Sequence, residues 1–146
     1  MKLHLATSIA AIACLVTGCG LAYQSNRTAL LKSASLSDWG PEPPSDHWTF
    51  EEDFVRRTLK DPESARFSHG SVTRDAIPAG DVISGETKAQ LVWVSSLGVN
   101  AKNSYGGYVG ERVYYFAWKD GKMVGLNEPQ VSSTGGVMYL SWFIFK

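Results

Sequence analysis

Residues 111–126 read ERVYYFAWKDGKMVGL, and this stretch decides the fold. A run rich in aromatic and β-branched side chains ends at Lys119, the dipeptide Asp120-Gly121 follows, and a second apolar run begins at Lys122. Asp-Gly between two such runs predicts a two-residue β-hairpin turn, because both central residues of that turn need positive φ. The chain is therefore expected to contain an antiparallel sheet.

Other segments extend this sheet. The strongest is centred on Leu91-Val92-Trp93-Val94, a continuous apolar run of the length and composition typical of a buried strand. Turn-forming residues separate the segments from one another. The predicted strands cover residues 65–73, 88–99, 111–119, 122–126 and 137–145.

A single helix is predicted from Thr49 to Lys60, before the first strand. Thr49 and Glu52 have the spacing of a capping box, and the acidic residues 51–53 lie where the helix dipole favours negative charge. These charges are interpreted as a solvated helix face. The expected apolar stripe consists of Phe50, Phe54 and Thr58, with Val55 and Leu59 beside them.

One helix followed by four or five antiparallel strands predicts an α+β domain, with the N-terminal helix packed on a curved sheet. In residues 113–118 and 137–145 both strand faces are apolar, whereas a half-exposed strand alternates apolar and polar side chains. One helix covers only one face of such a sheet. The other face must therefore curl on itself, be covered by residues 25–45, or contact a ligand or partner.

Composition limits the class of protein. The chain has 146 residues, with 14 basic and 14 acidic side chains, and is 44% hydrophobic. This length allows one domain, and this apolar content excludes a disordered chain. Nucleic acid is not an expected partner, because phosphate binding requires an excess of Lys and Arg. Cys14 and Cys19 are too few for a disulfide scaffold or a cysteine-rich zinc site.

The N-terminus has the form of a secretory signal, with basic Lys2 followed by the short apolar region 5–16. As a helix that region would reach only about 18 Å, which is too short to span a bilayer. Val16-Thr17-Gly18-Cys19 then resembles the lipobox of bacterial lipoproteins. The resemblance implies cleavage before Cys19, lipid on its thiol and, with Gly20 following, export to the outer membrane. The alternative is an ordinary signal peptide that leaves Cys19 as a free thiol.

Three segments are expected along the chain. Residues 1–18 are the cleaved lipoprotein signal peptide, residues 19–45 are the lipidated Cys19 and a flexible tether, and residues 46–146 are the globular domain. The tether is predicted because the run 40–44, Gly-Pro-Glu-Pro-Pro, favours extended polyproline geometry. The expected location is the cell envelope, on the outer membrane and facing the periplasm.

The loop between the two strongest strands has the composition of a recognition site. Glycines give it close backbone approach, asparagines give it Asx turns, and tyrosines and a lysine offer rings, hydroxyls and a cation. The candidate recognition residues are Asn100, Lys102, Asn103, Tyr105, Gly106, Gly107, Tyr108 and Gly110. The alternative is a tight structural hairpin whose Gly and Asn serve backbone geometry and whose tyrosines pack on the sheet.

Two elements carry a resemblance to a known family. Residues 60–67 read KDPESARF and residues 99–110 read VNAKNSYGGYVG. These elements, within a match over roughly residues 50–118, resemble a family of small uncharacterised bacterial and prophage-encoded envelope lipoproteins. In that family a cysteine often precedes the glycine of the second element, whereas Leu97-Gly98 stands here, so the resemblance implies no disulfide. The family has no established activity, and the resemblance implies a fold and a location only.

Catalysis is not expected. His47 and His69 lack the spaced Cys, Asp or Glu partners of a metal site, and Ser68 lies on the opposite strand face from His69. No metal or cofactor is predicted. The leading hypothesis is a non-catalytic binding domain for an envelope or periplasmic protein, for example an immunity, inhibitor or phage-exclusion module. The alternatives are a structural or assembly-accessory lipoprotein and a small-ligand sensor.

Overall fold

The computed structural model describes residues 21–80, 87–108, 110–128, 130–131, 137–138 and 142–145. Helix α1 covers residues 21–33, and short 3-10 helices follow at Leu36–Trp39 and Pro62–Ser64. Helix α2 covers His47–Arg56. The strands are β1 (Arg66–His69), β2 (Thr73–Pro78), β3 (Ala89–Asn100), β4 (Arg112–Lys119), β5 (Lys122–Asn127), β6 (Gln130–Val131), β7 (Val137–Met138) and β8 (Phe143–Ile144).

Six of these strands form one antiparallel sheet that is not closed. Strand β3 lies beside β4, then β5 and β8 follow, and β1 and β2 both pair with the other edge of β3. Strands β6 and β7 form a separate pair. The predicted α+β class, a helix on a curved antiparallel sheet, is confirmed. The sheet has six strands rather than four or five, because the chain after residue 65 contributes two strands instead of one.

Strands β1 and β2 both pair with β3, one after the other, and a β-bulge separates them. Phe67 of β1 pairs with Val99 and Thr73 of β2 pairs with Val94, so the register shifts by one residue between them. Gly70 lies in this bulge, where its amide donates to the Ser96 carbonyl at 2.8 Å. A Cβ on Gly70 would lie 2.0 Å from the Ser96 hydroxyl, so any other residue there would require the Ser96 side chain to move. The predicted strand 65–73 is therefore interrupted and continues to residue 78.

The hairpin that the sequence predicts between β4 and β5 is present. Asp120 has φ 50° and Gly121 has φ 73°, the positive values that a two-residue turn of this kind requires. The pairing continues to Tyr115 opposite Asn127, with one register shift after Ala117. Strand β3 agrees with its predicted bounds to within one residue at each end.

Both faces of the sheet carry buried side chains: α2 covers one of them, and the other curls on itself, which is one of the expected ways of covering it. On the first face, which we call the helix face, Val55 of α2 packs against Leu97 and Phe116. On the second face, Ile77 of β2 and Ile144 of β8 pack in one cluster although they belong to opposite edge strands. The sheet therefore curves around this second face, which we call the concave face.

Residues 21–39 are not a flexible tether. The Tyr23 side chain is buried and its hydroxyl donates to the Ala76 carbonyl at 3.2 Å. Arg27 forms an ion pair with Asp75, and Trp39 is buried against the end of the sheet. The expectation of a flexible tether is therefore wrong for this segment, because its apolar and basic side chains find partners on β2 that composition alone does not show.

Helix α2 begins and ends earlier than predicted. It starts at His47 with Asp46 as its N-cap residue, and no side chain caps it, so the predicted capping box of Thr49 and Glu52 is absent. The helix already turns at Pro44, whose carbonyl accepts from the His47 amide at 3.0 Å. Its buried residues are His47, Glu51 and Val55, whereas Phe50 is 56% exposed.

The predicted last strand, residues 137–145, contains two short strands in different sheets. Strand β7 pairs with β6, and β8 pairs with β5. Residues 139–141 lie outside the described residues. None of the helices in the described part of the chain has the length and apolar character that a membrane crossing requires.

Candidate functional site

The loop between β3 and β4 is a tight hairpin built around Asn103. Lys102 and Tyr108 form an isolated antiparallel bridge at its base. The Asn103 side-chain oxygen accepts from the backbone amides of Tyr105 at 2.9 Å and Gly107 at 3.2 Å. The backbone amide of Asn103 donates to the Gly107 carbonyl at 2.8 Å. Asparagine suits this position because its side chain can satisfy the amides of a turn two and four residues on.

Hydrogen bonds join this hairpin to the turn that precedes β1. The Ser64 hydroxyl accepts from the Lys102 amide at 2.9 Å, and the Ser64 carbonyl accepts from the Tyr108 hydroxyl at 3.2 Å. Lys60 reaches the Ser104 hydroxyl at 3.0 Å. The two elements that carry the family resemblance, residues 60–67 and 99–110, are therefore in direct contact although they are far apart in the sequence.

Aromatic and basic side chains stand out from the hairpin. Tyr105 is 96% exposed and Tyr108 is 40% exposed. The Arg66 guanidinium lies 4.7 Å from the centre of the Tyr108 ring, and the Lys102 ammonium lies 5.7 Å from it, which are cation–π distances. We call the side chains of Arg66, Lys102, Tyr105 and Tyr108 the hairpin surface.

A cleft of about 280 Å³ lies between the hairpin and the chain that follows α2. Lys60, Lys102 and Arg112 provide its basic groups. Burial, and next the nearby Glu128 carboxylate, raise the pKa of the Tyr114 hydroxyl in the cleft wall. The full lining consists of Thr58, Leu59, Lys60, Val99, Ala101, Lys102, Asn103, Ser104, Gly110, Arg112 and Tyr114.

The candidate residues from the sequence lie together in one hairpin. Some of its features support the interpretation as a structural hairpin, and others support the interpretation as a recognition site. Gly106 and Gly110 have φ of 79° and 95°, as a hairpin shaped by its glycines requires. Tyr105, however, does not pack on the sheet, as that interpretation expects. Asn100 ends β3, and its side-chain oxygen is buried with no hydrogen-bond partner in the described part of the chain.

A second polar cluster lies on the helix face, and the sequence did not predict it. Glu51 is fully buried, whereas it was expected on a solvated helix face. Its Oε1 accepts from the Ser95 hydroxyl and, at 2.8 Å, from the Trp118 indole, while Oε2 has no partner among the described residues. Burial raises the pKa of the Glu51 carboxyl, against the smaller lowering by these two hydrogen bonds. Glu51 thus joins α2 to β3 and β4 through these hydrogen bonds.

His47 and His69 both lie beside this cluster. His47, one helical turn before Glu51, is buried, and its Nε2 has no partner in the described ranges. His69 is more exposed and stacks on Trp48 with ring centres 4.7 Å apart, while its Nε2 lies 2.7 Å from the Glu52 carboxylate. Glu52 therefore pairs with His69 rather than capping its helix. The i, i+4, i+8 spacing of His47, Glu51 and Val55 is the signal that could have revealed the buried face.

Within the described ranges no group of three or more His, Cys, Asp or Glu side chains is placed to hold a metal ion. Cys19, the predicted lipidation site, lies outside the described residues, as does Cys14. Comparison with protein-family models, with curated proteins and with solved structures finds no match. A function is therefore inferred from the residues and their geometry.

Proposed function

We propose that this protein is an outer-membrane lipoprotein, anchored by lipid on Cys19, whose domain binds a protein partner in the envelope without catalysing a reaction. The binding site is the hairpin surface. An immunity, inhibitor or phage-exclusion module is one form that such a binding domain takes. The anchor is supported by the sequence of residues 1–20, and the binding site by the geometry of the hairpin.

The observation that carries the binding function is the exposure of Tyr105 on a fixed backbone. Its ring is 96% exposed, yet its amide is held by Asn103 and the hairpin is held by Ser64. Tyrosine offers a large contact area with few rotatable bonds, so it loses little conformational entropy when it binds. A preorganised exposed tyrosine, on a hairpin whose Tyr108 ring contacts Arg66, has the composition of a binding hot spot.

The anchor is tested by Cys19→Ser in the full chain. Because the acyl chains provide the membrane affinity, this variant is expected to leave the membrane fraction and to lose the lipid mass from its N-terminus. Fractionation and mass spectrometry measure the two effects. A variant that stays in the membrane fraction contradicts the lipid anchor.

The binding surface is tested by a photo-crosslinking amino acid, p-benzoylphenylalanine, placed at position 105 or at position 143 of the full chain in living cells. Tyr105 and Phe143 are both exposed aromatic side chains, with Phe143 at 67%, so each position is a matched control for the other. A defined protein adduct at position 105 and none at position 143 is expected. An adduct at neither position contradicts the proposal.

A second candidate function, a structural or assembly-accessory lipoprotein, is favoured by a different surface. Phe50, Phe143 and Phe145 are exposed to 56%, 67% and 38%, and the Phe145 ring lies 6.0 Å from that of Phe54 on α2. Exposed apolar groups of this kind are buried when a subunit joins a larger complex. An adduct at position 143 without one at position 105 would favour this function.

A further inference from the structure

The cleft beneath the hairpin gathers positive charge from three parts of the chain. Lys60 follows α2, Lys102 lies on the hairpin, and Arg112 begins β4. Among the residues that the structure describes, no acidic side chain lines the cleft. Like charges held close together repel one another, and a bound anion relieves that repulsion.

Two of the three cations have no acidic partner within the described ranges. The Lys60 ammonium donates to the Ser104 hydroxyl, and the Lys102 ammonium lies over the Tyr108 ring, but neither forms an ion pair with a described carboxylate. The Arg112 guanidinium forms an ion pair with the Glu128 carboxylate at 3.4 Å, and the Arg112 side chain remains 66% exposed. A carboxylate that enters the cleft therefore meets a lining with three basic side chains, two of which have no described acidic partner.

The floor of the cleft is apolar. Leu59, Val99 and Ala101 line it, together with the ring of Tyr114. A free inorganic anion would leave this apolar surface in contact with water. An aspartate or glutamate side chain carries only one or two methylene groups beside its charge and would cover little of it. A C-terminal residue with an apolar side chain offers both a carboxylate and an apolar group from the same carbon atom.

We propose that this cleft binds the C-terminal residue of the partner protein, with the α-carboxylate at Lys60, Lys102 and Arg112 and the apolar side chain on the floor. This inference rests on the proposed function, because it names the part of the partner that the hairpin region recognises. Tyr105 then contacts the partner outside the cleft. A carboxylate held by several charge-assisted hydrogen bonds gives direction as well as affinity.

The test uses the full-length protein purified in detergent and three peptides labelled at the N-terminus with a neutral fluorophore. The first is Gly-Ser-Gly-Ser-Leu with a free C-terminus, the second is its C-terminal amide, and the third ends in a glutamate amide. Fluorescence anisotropy is expected to show that the free acid binds about tenfold more tightly than the leucine amide. The glutamate amide is expected to bind more weakly than the free acid.

Variants locate the binding. Lys102→Met replaces the lysine by an uncharged side chain that resembles its apolar part, and is expected to weaken binding of the free acid about tenfold. Lys122→Met removes an exposed lysine at the start of β5, outside the cleft, and is expected to leave the affinity unchanged. Equal affinities of the acid and the leucine amide, or tighter binding of the glutamate amide, would overturn the inference.

The two proposals fail in distinguishable ways. If position 105 still crosslinks to a partner but the free-acid peptide does not bind, the cleft inference is wrong and the proposed function stands. If the peptide binds as expected but position 105 gives no adduct, the proposed function is wrong and the carboxylate site stands. In the peptide experiment the Lys122→Met protein is the control, and in the crosslinking experiment position 143 is.

Discussion

Glu51 and Asn103 each use one side-chain oxygen to accept two hydrogen bonds, but they do so in opposite surroundings. Glu51 is fully buried, and its donors Ser95 and Trp118 lie 44 and 67 residues away. Asn103 is exposed, and its donors are the amides of residues 105 and 107. The first oxygen joins elements of the fold, and the second shapes a loop.

This difference separates the part of the molecule that must stay intact from the part that can face a partner. Removing a donor from the Glu51 cluster leaves a polar group unsatisfied in the core, where no water replaces the bond. Removing a donor from the Asn103 turn leaves groups that water reaches. We therefore expect large changes in stability at the buried cluster and small ones at the hairpin.

The largest effect is expected from Trp118→Ala. This change removes a buried aromatic ring and the indole that donates to Glu51, so the free energy of unfolding should fall by about 3–5 kcal/mol. Tyr105→Ala, at an exposed tyrosine, is the control and should change it by less than about 0.5 kcal/mol. Denaturant unfolding measures both. Similar losses in the two variants would contradict the contrast between the two regions.

A pH-dependent effect is expected at Glu51. Burial raises the pKa of its carboxyl above the ordinary value of 4.5, so the folded protein binds a proton more tightly than the unfolded chain. The contribution of Glu51 to stability is therefore complete below pH 4.5 and is lost as the pH rises through the folded-state pKa.

Glu51→Gln tests this sign. The neutral amide can accept the same two hydrogen bonds but does not ionise, so the variant should lose this pH dependence and gain stability relative to the wild type as the pH rises. Unfolding curves of both proteins across the range from pH 4 upward measure the difference. A gap that stays constant with pH would show that Glu51 does not titrate differently in the folded state.

The smallest effect is expected at the tip of the hairpin. Gly106 has φ 79°, so Gly106→Ala forces a side chain into the left-handed region and should cost about 1–2 kcal/mol. Gly107→Ala is the matched control, because φ there is not positive and the nearest atom to its Cβ, Asn103 Oδ1, would lie 3.9 Å away. It should cost less than about 1 kcal/mol. Equal losses would mean that the turn does not depend on its φ values.

Sequence patterns were most informative where the structure depends on neighbouring residues. The Asp120-Gly121 turn and the strands on either side of it could be predicted, because positive φ and strand periodicity are properties of adjacent positions. The composition of residues 100–110 likewise suggested either a structural hairpin or a recognition loop, and the structure shows a hairpin with an exposed Tyr105. The hydrogen bonds between that hairpin and Ser64 could not be predicted, because no sequence pattern in either segment shows that the two segments are in contact.

Contacts between residues that are distant in the sequence also explain two wrong predictions, the flexible tether and the solvated Glu51. Residues 21–39 resemble a tether when read alone, because their partners Ala76 and Asp75 lie about fifty residues further on. Glu51 resembles a solvated helix residue, because its neighbours in sequence are charged. In both cases the decisive contacts are with residues on the sheet.

The sequence by itself thus determined the α+β class and the β4–β5 hairpin, and it offered a structural hairpin as one of two interpretations of residues 100–110. All of these follow from backbone preferences and apolar periodicity over a few residues. Only the tertiary structure decided which polar groups are buried and which basic side chains line the same cleft. Burial of Glu51 and convergence of Lys60 with Lys102 depend on how the sheet curves and where α2 lies on it. Those are properties of the packed chain, because the free energy of a polar or charged group depends on the distant groups that surround it.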